Sequence, residues 1–138
     1  MKPLRKIVYL AGPITLGDWE HNFCQGVSAQ RHLMRDGYAV WNPMLSMMMS
    51  KKLEALPLGL THKDFEENDM PLVAVSNAVL RLPGESRGAD NEIALALSLG
   101  IPVFHSIEEL QECLPVSDVK SAEAGHTSNL FAPESTAL

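Results

Sequence analysis

Four short, β-prone apolar runs separated by helical stretches constrain this chain more than any other feature. They are Ile7-Val8-Tyr9-Leu10-Ala11, Tyr38-Ala39-Val40-Trp41, Ala78-Val79-Leu80-Arg81-Leu82 and Ile101-Pro102-Val103-Phe104. The first three run into turn signals, at Gly12-Pro13, Asn42-Pro43 and Pro83-Gly84. A run that is apolar on both faces suits a buried parallel strand. Strands alternating with helices imply an α/β fold: a parallel sheet of four to five strands, right-handed crossovers and helices on both faces. Such sheets bind ligands outside the C-terminal ends of their strands, where the strand order reverses. Three loops converge there: 12–17, the stretch from Asn42-Pro43 onward, and 83–88.

The intervening helices carry their own signals. Residues 18–36 read as a helix whose inward face holds Phe23, Val27, Gln30 and Met34, widened by Ala29 and Leu33, with Gly37 as its stop. Residues 44–60 show no clear period and are expected to form a mobile loop or lid, with room for a short helix. Thr61 with Asp64 three residues on resembles a capping box. Pro71 then either kinks that helix or splits it, in which case Asp69 becomes a new N-cap. Residues 89–99 form a strong helix ended by Gly100. Ser106 and Glu109 open a last one, through about residue 114.

With 138 residues, one domain with a sizeable core is expected, over residues 1–115. From residue 116 on, the composition shifts to Ser, Ala, Thr and Glu, which reads as a flexible tail. The formal net charge of -6 argues against a nucleic-acid polymer or an anionic membrane as partner, because both reward a basic face. Cys24 and Cys113 sit in no CxxC pair, and the five histidines show no metal-ligand spacing. No metal is therefore expected. The apolar run after the basic start is too short for a signal peptide or a membrane span. A cytoplasmic protein is the expectation.

Several residues at the strand ends carry possible chemistry. Gly84-Glu85-Ser86-Arg87-Gly88-Ala89 places a hydroxyl and a guanidinium between glycines just before a helix, a good cradle for phosphate. The plain alternative is a solvated loop with a capping serine. Gly12-Pro13-Ile14-Thr15 is either an ordinary turn or a close approach of backbone to a ligand. Glu92 either complements the helix dipole with Asp90 or points into the cleft as a nucleophile. Asp69 is either an N-cap or a general acid or base. Two carboxylates across one sugar suit glycosidic chemistry, and in retaining enzymes they lie about 5 Å apart. Tyr9 is core, or its hydroxyl orients a carboxylate. Trp19 and Trp41 stack on a base or pack in the core.

Taken together, Tyr9-Leu10-Ala11-Gly12-Pro13-Ile14, Asn42-Pro43, Asp69 leading into Asn77-Ala78-Val79, and Ser86-Arg87-Gly88-Ala89-Asp90-Asn91-Glu92 resemble the nucleoside 2-deoxyribosyltransferase superfamily. The similarity is nearest to its deoxynucleoside 5'-monophosphate N-glycosidases and their phage and bacterial relatives. It runs over residues 6–114, and the Ser-x-Gly-x-x-x-Glu element is its most specific part. The resemblance implies a Rossmann-like (flavodoxin-like) three-layer sandwich. It implies cleavage of the N-glycosidic bond of a (deoxy)nucleoside 5'-monophosphate, without a cofactor. By motif, Glu92 is the nucleophile on C1', Asp69 the acid/base and Tyr9 the holder of the nucleophile. Ser86, Arg87 and Gly88 form the 5'-phosphate site, with Gly12, Pro13, Ile14 and Asn42 on the other walls. A homodimer or larger assembly, with a neighbour closing the pocket, is also implied. The chain departs from the pattern in three places. Ile14-Thr15-Leu16-Gly17 replaces a common arginine, Pro71 follows Asp69, and Asn77 stands where aspartate is common. Capture of the same intermediate by a second base would make the protein a deoxyribosyltransferase. Binding without turnover would make it a nucleotide-sensing module.

Overall fold

The apolar runs do form strands. A computed structural model describes residues 3–52 and 59–116. In chain order the elements are β1 (Ile7–Ala11), α1 (Trp19–Arg35), β2 (Ala39–Trp41), α2 (Pro43–Lys52), α3 (His62–Ala74), β3 (Ala78–Arg81), α4 (Arg87–Ser98), β4 (Val103–Phe104) and α5 (Ile107–Cys113). The four strands form one all-parallel sheet in the order β2-β1-β3-β4. This is an α/β three-layer fold of the Rossmann-like, flavodoxin-like kind, with its switch point between β1 and β3.

The period-2 rule divides the core in two. Val8 and Leu10 of β1 and Ala78 and Leu80 of β3 face one way. They pack with Ala29 and Leu33 of α1 and Leu110 of α5. Tyr9, Ala11 and Val79 face the other way and pack with Val73 of α3 and Ala89 and Ala96 of α4. Any residue on the second face of β1 is therefore aimed at α3 and α4.

Helix ends follow local chemistry. Asp18 caps α1 through the amides of Glu20 and His21. At α3, Thr61 and Asp64 form the full reciprocal capping box. Ser86 caps α4 through Ala89 N–H, and Ser106 caps α5 through Glu109 N–H.

Four expectations change. The buried stripe of α1 is Asn22, Gly26, Ala29 and Leu33, while Met34 is exposed. Small residues let α1 approach the sheet closely: a Cβ on Gly26 would lie 3.2 Å from the Asn42 side chain. Residues 43–52 are helix rather than loop. The Asn42 side chain accepts from Met44 N–H at 3.0 Å and Pro43 takes the first helical position, so the turn after β2 is also a helix start. Residues 53–58 of the expected lid lie outside the described residues. Asp69 is no N-cap, because α3 runs unbroken through Pro71. Proline forfeits one backbone hydrogen bond there, and the helix ends within a turn. Finally, Val116, the first residue of the expected tail, is half-buried against the core. Residues 117–138 of that tail lie outside the described residues. Among the described residues no helix is long and apolar enough to cross a membrane.

Candidate active site

The switch point is open, and a cleft of about 260 Å³ lies there. Its walls come from the loop after β1 (Gly12, Ile14, Thr15, Leu16), Pro43 of α2, one face of α3, and the start of α4 from Ser86 to Glu92. On α3 the lining residues are His62, Phe65, Glu66, Asp69 and Met70. That i, i+3, i+4, i+7, i+8 spacing is one helical face.

The two loops are locked together. Gly84 has φ +117, and a Cβ on it would lie 2.6 Å from Pro13. Only glycine combines that conformation with so close a neighbour. Leu82 N–H donates to Ala11 O at 2.7 Å, extending the β1–β3 ladder into the loops. The Arg81 guanidinium donates to the carbonyls of Leu82 and, at 2.8 Å, Gly84, and pairs with Asp90. Buried Asn22 props the first loop by donating to Leu16 O at 2.9 Å and Ile14 O at 3.3 Å.

Glu92 is buried in the cleft wall, and the buried Tyr9 hydroxyl donates to its Oε2. Tyr9 reaches it because β1 aims that residue at α4. Asp90, not Glu92, occupies the solvent-facing first turn beside Arg81. Desolvation raises the Glu92 carboxyl to about 8, so it holds its proton at neutral pH. Asp69 lines the same cleft from α3 and is also buried. Burial raises its carboxyl too, against weaker opposing contributions from Asn68 and Trp41. Asn68 Nδ2 donates to it at 3.1 Å. Two buried carboxyls from two helices thus face one space, a pair suited to splitting nucleophile from acid/base.

The other end of the cleft favours an anion. The first amides of α4 lack intrahelical partners, and the helix dipole adds positive potential. The Ser86 oxygen accepts from Ala89 N–H at 3.1 Å, leaving its own proton free to donate. Arg87 is exposed at the rim. Gly88 has no positive φ, and a Cβ on it would meet nothing within 4 Å. The fold itself does not require glycine there, and the space before it is the cleft.

Of the residues singled out in the sequence, Glu92, Asp69, Gly12, Ile14, Ser86, Arg87 and Gly88 line the cleft, with Tyr9 directly behind Glu92. Gly12 also has a packing reason, since a Cβ there would sit 2.9 Å from Leu82 Cβ. Pro13 and Asn42 do not line it. Pro13 is buried against Gly84, and Asn42 spends its side chain on Met44 and Gln30. Trp19 stacks on Phe23, with ring centroids 5.3 Å apart, and Trp41 packs beside Tyr9. Phe65, Glu66, Met70, Asn22 and Arg81 were missed. The first three share a helical period with Asp69, and that period was the available signal. Among the described residues no three of His, Cys, Asp and Glu converge as metal ligands.

None of the curated proteins matches this sequence. A family match covers residues 6–105, from the residue before β1 to the residue after β4, and so takes in both loops, Asp69 and Glu92. The chain therefore belongs to the family described as Domain of unknown function (DUF4406).

Proposed function

We propose that this protein hydrolyses the N-glycosidic bond of a (deoxy)nucleoside 5'-monophosphate, releasing free base and sugar 5-phosphate. One observation carries the reading. Two buried carboxyls, Glu92 tied to Tyr9 and Asp69 on the neighbouring helix, share a cleft that ends at the N-terminus of α4. The resemblance of the motifs to the N-glycosidases supports the same assignment.

In this reading the phosphate lies against the α4 amides, the Ser86 hydroxyl and Arg87. The sugar lies over Glu92 and the base along Phe65 and Met70 of α3. Glu92 attacks C1', the C1'–N bond breaks, and the bonding pair leaves with the base, which takes the proton of Asp69. The glycosyl ester is then cleaved by water, whose proton passes to Asp69 as Glu92 departs. The reactive form needs Glu92 ionised and Asp69 protonated. At neutral pH a Glu92 carboxyl raised to about 8 still holds its proton, so Glu92 must release that proton to solvent before it attacks. Positive charge developing on the sugar and the Tyr9 hydroxyl both favour the Glu92 anion, while burial keeps the proton on Asp69. Leu16 lines the cleft yet is 54% exposed, an apolar surface for a second subunit of a homodimer to cover.

The test is a panel of ribo- and deoxyribonucleoside 5'-monophosphates, modified pyrimidines included, followed for free base by chromatography. The reading expects base and sugar phosphate in equal amounts. It expects the matching nucleosides without phosphate to be cleaved at least tenfold less efficiently, for want of the charge-assisted contacts. A product carrying a second added base would reassign the protein as a transferase. Binding without any release would make it a sensor.

A further inference from the structure

β1 and β2 place two donors side by side. Tyr9 and Trp41 are register partners, so their side chains emerge on the same face, toward α3 and α4. The Tyr9 hydroxyl is engaged with Glu92. The Trp41 indole N–H is buried and has no hydrogen-bond partner, the one such side-chain atom among the described residues. An orphaned buried donor costs stability and calls for an explanation. Trp41 packs in the same cluster as Val73, one turn beyond Asp69 on α3. The indole N–H favours the charged form of the Asp69 carboxyl, yet no hydrogen bond joins the two.

We propose that Trp41 is a positioning residue for Asp69: its indole N–H is held in reserve to receive the Asp69 carboxylate as that group gives up its proton, as the Tyr9 hydroxyl holds Glu92. The inference rests on the reading of Asp69 as the acid. An N–H that gains its partner only when Asp69 ionises stabilises the transition state more than the ground state, which is what accelerates a reaction. The same bond then keeps Asp69 a carboxylate, ready to take the proton of water. The other titratable side chains lining the cleft around Asp69 are His62 and Glu66 on its own helix and Arg87 and Glu92 on α4. Tyr9 bonds Glu92. Trp41 is the neutral donor the sheet adds.

The chain has two tryptophans, so a 15N-labelled sample gives two indole N–H signals, Trp19 and Trp41. The experiment follows them with pH in the substrate-free protein and in Glu92→Gln, which removes the neighbouring titration. Asp69→Asn is the control. The Trp41 signal should move downfield with the midpoint of the Asp69 carboxyl 13C signal and stop titrating in Asp69→Asn. In Trp41→Phe the Asp69 midpoint should rise by about one pH unit, which is the tenfold weight of a charge-assisted bond. With an active substrate, Trp41→Phe should lower kcat about tenfold, leave KM little changed and move the Asp69 limb of the pH profile upward. A Trp41 signal that ignores Asp69 ionisation overturns the inference, and needs no variant of Trp41 to be folded. If both titrations behave as stated but no nucleotide is cleaved, the pairing stands and the glycosidase reading fails.

Discussion

At the residue scale, Glu92 dominates the account, and its burial has a thermodynamic cost. A carboxyl raised from 4.5 to about 8 binds its proton more tightly folded than unfolded. Its contribution to stability is complete below about pH 4.5 and is lost as pH rises through 8. Wild type should lose roughly 1 kcal/mol per pH unit across that window, up to a few kcal/mol in all. Glu92→Gln keeps the shape and has no charge to desolvate. Its denaturation midpoint should change far less between pH 5 and 9, with only the smaller, same-signed contribution of Asp69 at the acid end. Urea unfolding of both proteins over that range measures this. Equal slopes would mean Glu92 is not the buried titrating group. The Tyr9 hydroxyl moderates the cost and does not remove it, which is the compromise expected of a group that must ionise during turnover.

At the element scale, much of the arrangement was legible in the sequence. The first strand was read residue for residue, because five apolar residues closed by Gly-Pro admit few other conformations. The Thr61 box and the Ser106 cap were legible because each is a local bond between a side chain and a backbone amide a few residues away. What failed depended on tertiary contacts. The inward face of α1 was read correctly at Ala29 and Leu33 but drawn too far toward Phe23, Val27 and Met34, because close approach to Asn42 favours small Gly26 on the inside. The helix α2 was obscured by Met47-Met48-Met49, which erases any period. Pro71 was read as a possible break, but packing of Asp69 and Val73 holds α3 in one piece. That proline still leaves a carbonyl one turn back without its helical partner. Pro71→Ala should therefore stabilise the protein by about 1 kcal/mol, the regained helix bond being partly offset by a freer unfolded chain. Thermal unfolding checks it; a lower midpoint would mean that the proline shapes α3 usefully.

At the scale of the whole molecule, chemistry and anchoring occupy opposite edges of the sheet. The cleft opens at the C-terminal ends of the strands. The other edge ties the last described residues down: Tyr38 donates to Leu114 O at 2.6 Å and Lys6 to Pro115 O at 2.9 Å. Tyr38→Phe should cost about 1 kcal/mol by loss of that bond while leaving kcat and KM unchanged. A drop in kcat would show that the two edges are coupled. The fold was readable because alternation of strand and helix leaves few topologies, and that topology alone predicts where a ligand sits. The pairing of Tyr9 with Glu92 joins residues 83 apart in sequence. Spacing left their roles open, and only the register of the sheet brings them together. The most direct test of the whole account is the rate of base release by wild type and Glu92→Gln on the same nucleoside 5'-monophosphate, with circular dichroism confirming that both are folded. The account predicts release by wild type and a loss of about 10⁴-fold or more in the variant, as when a nucleophile is removed; a folded Glu92→Gln protein that turns over as fast as wild type would contradict it.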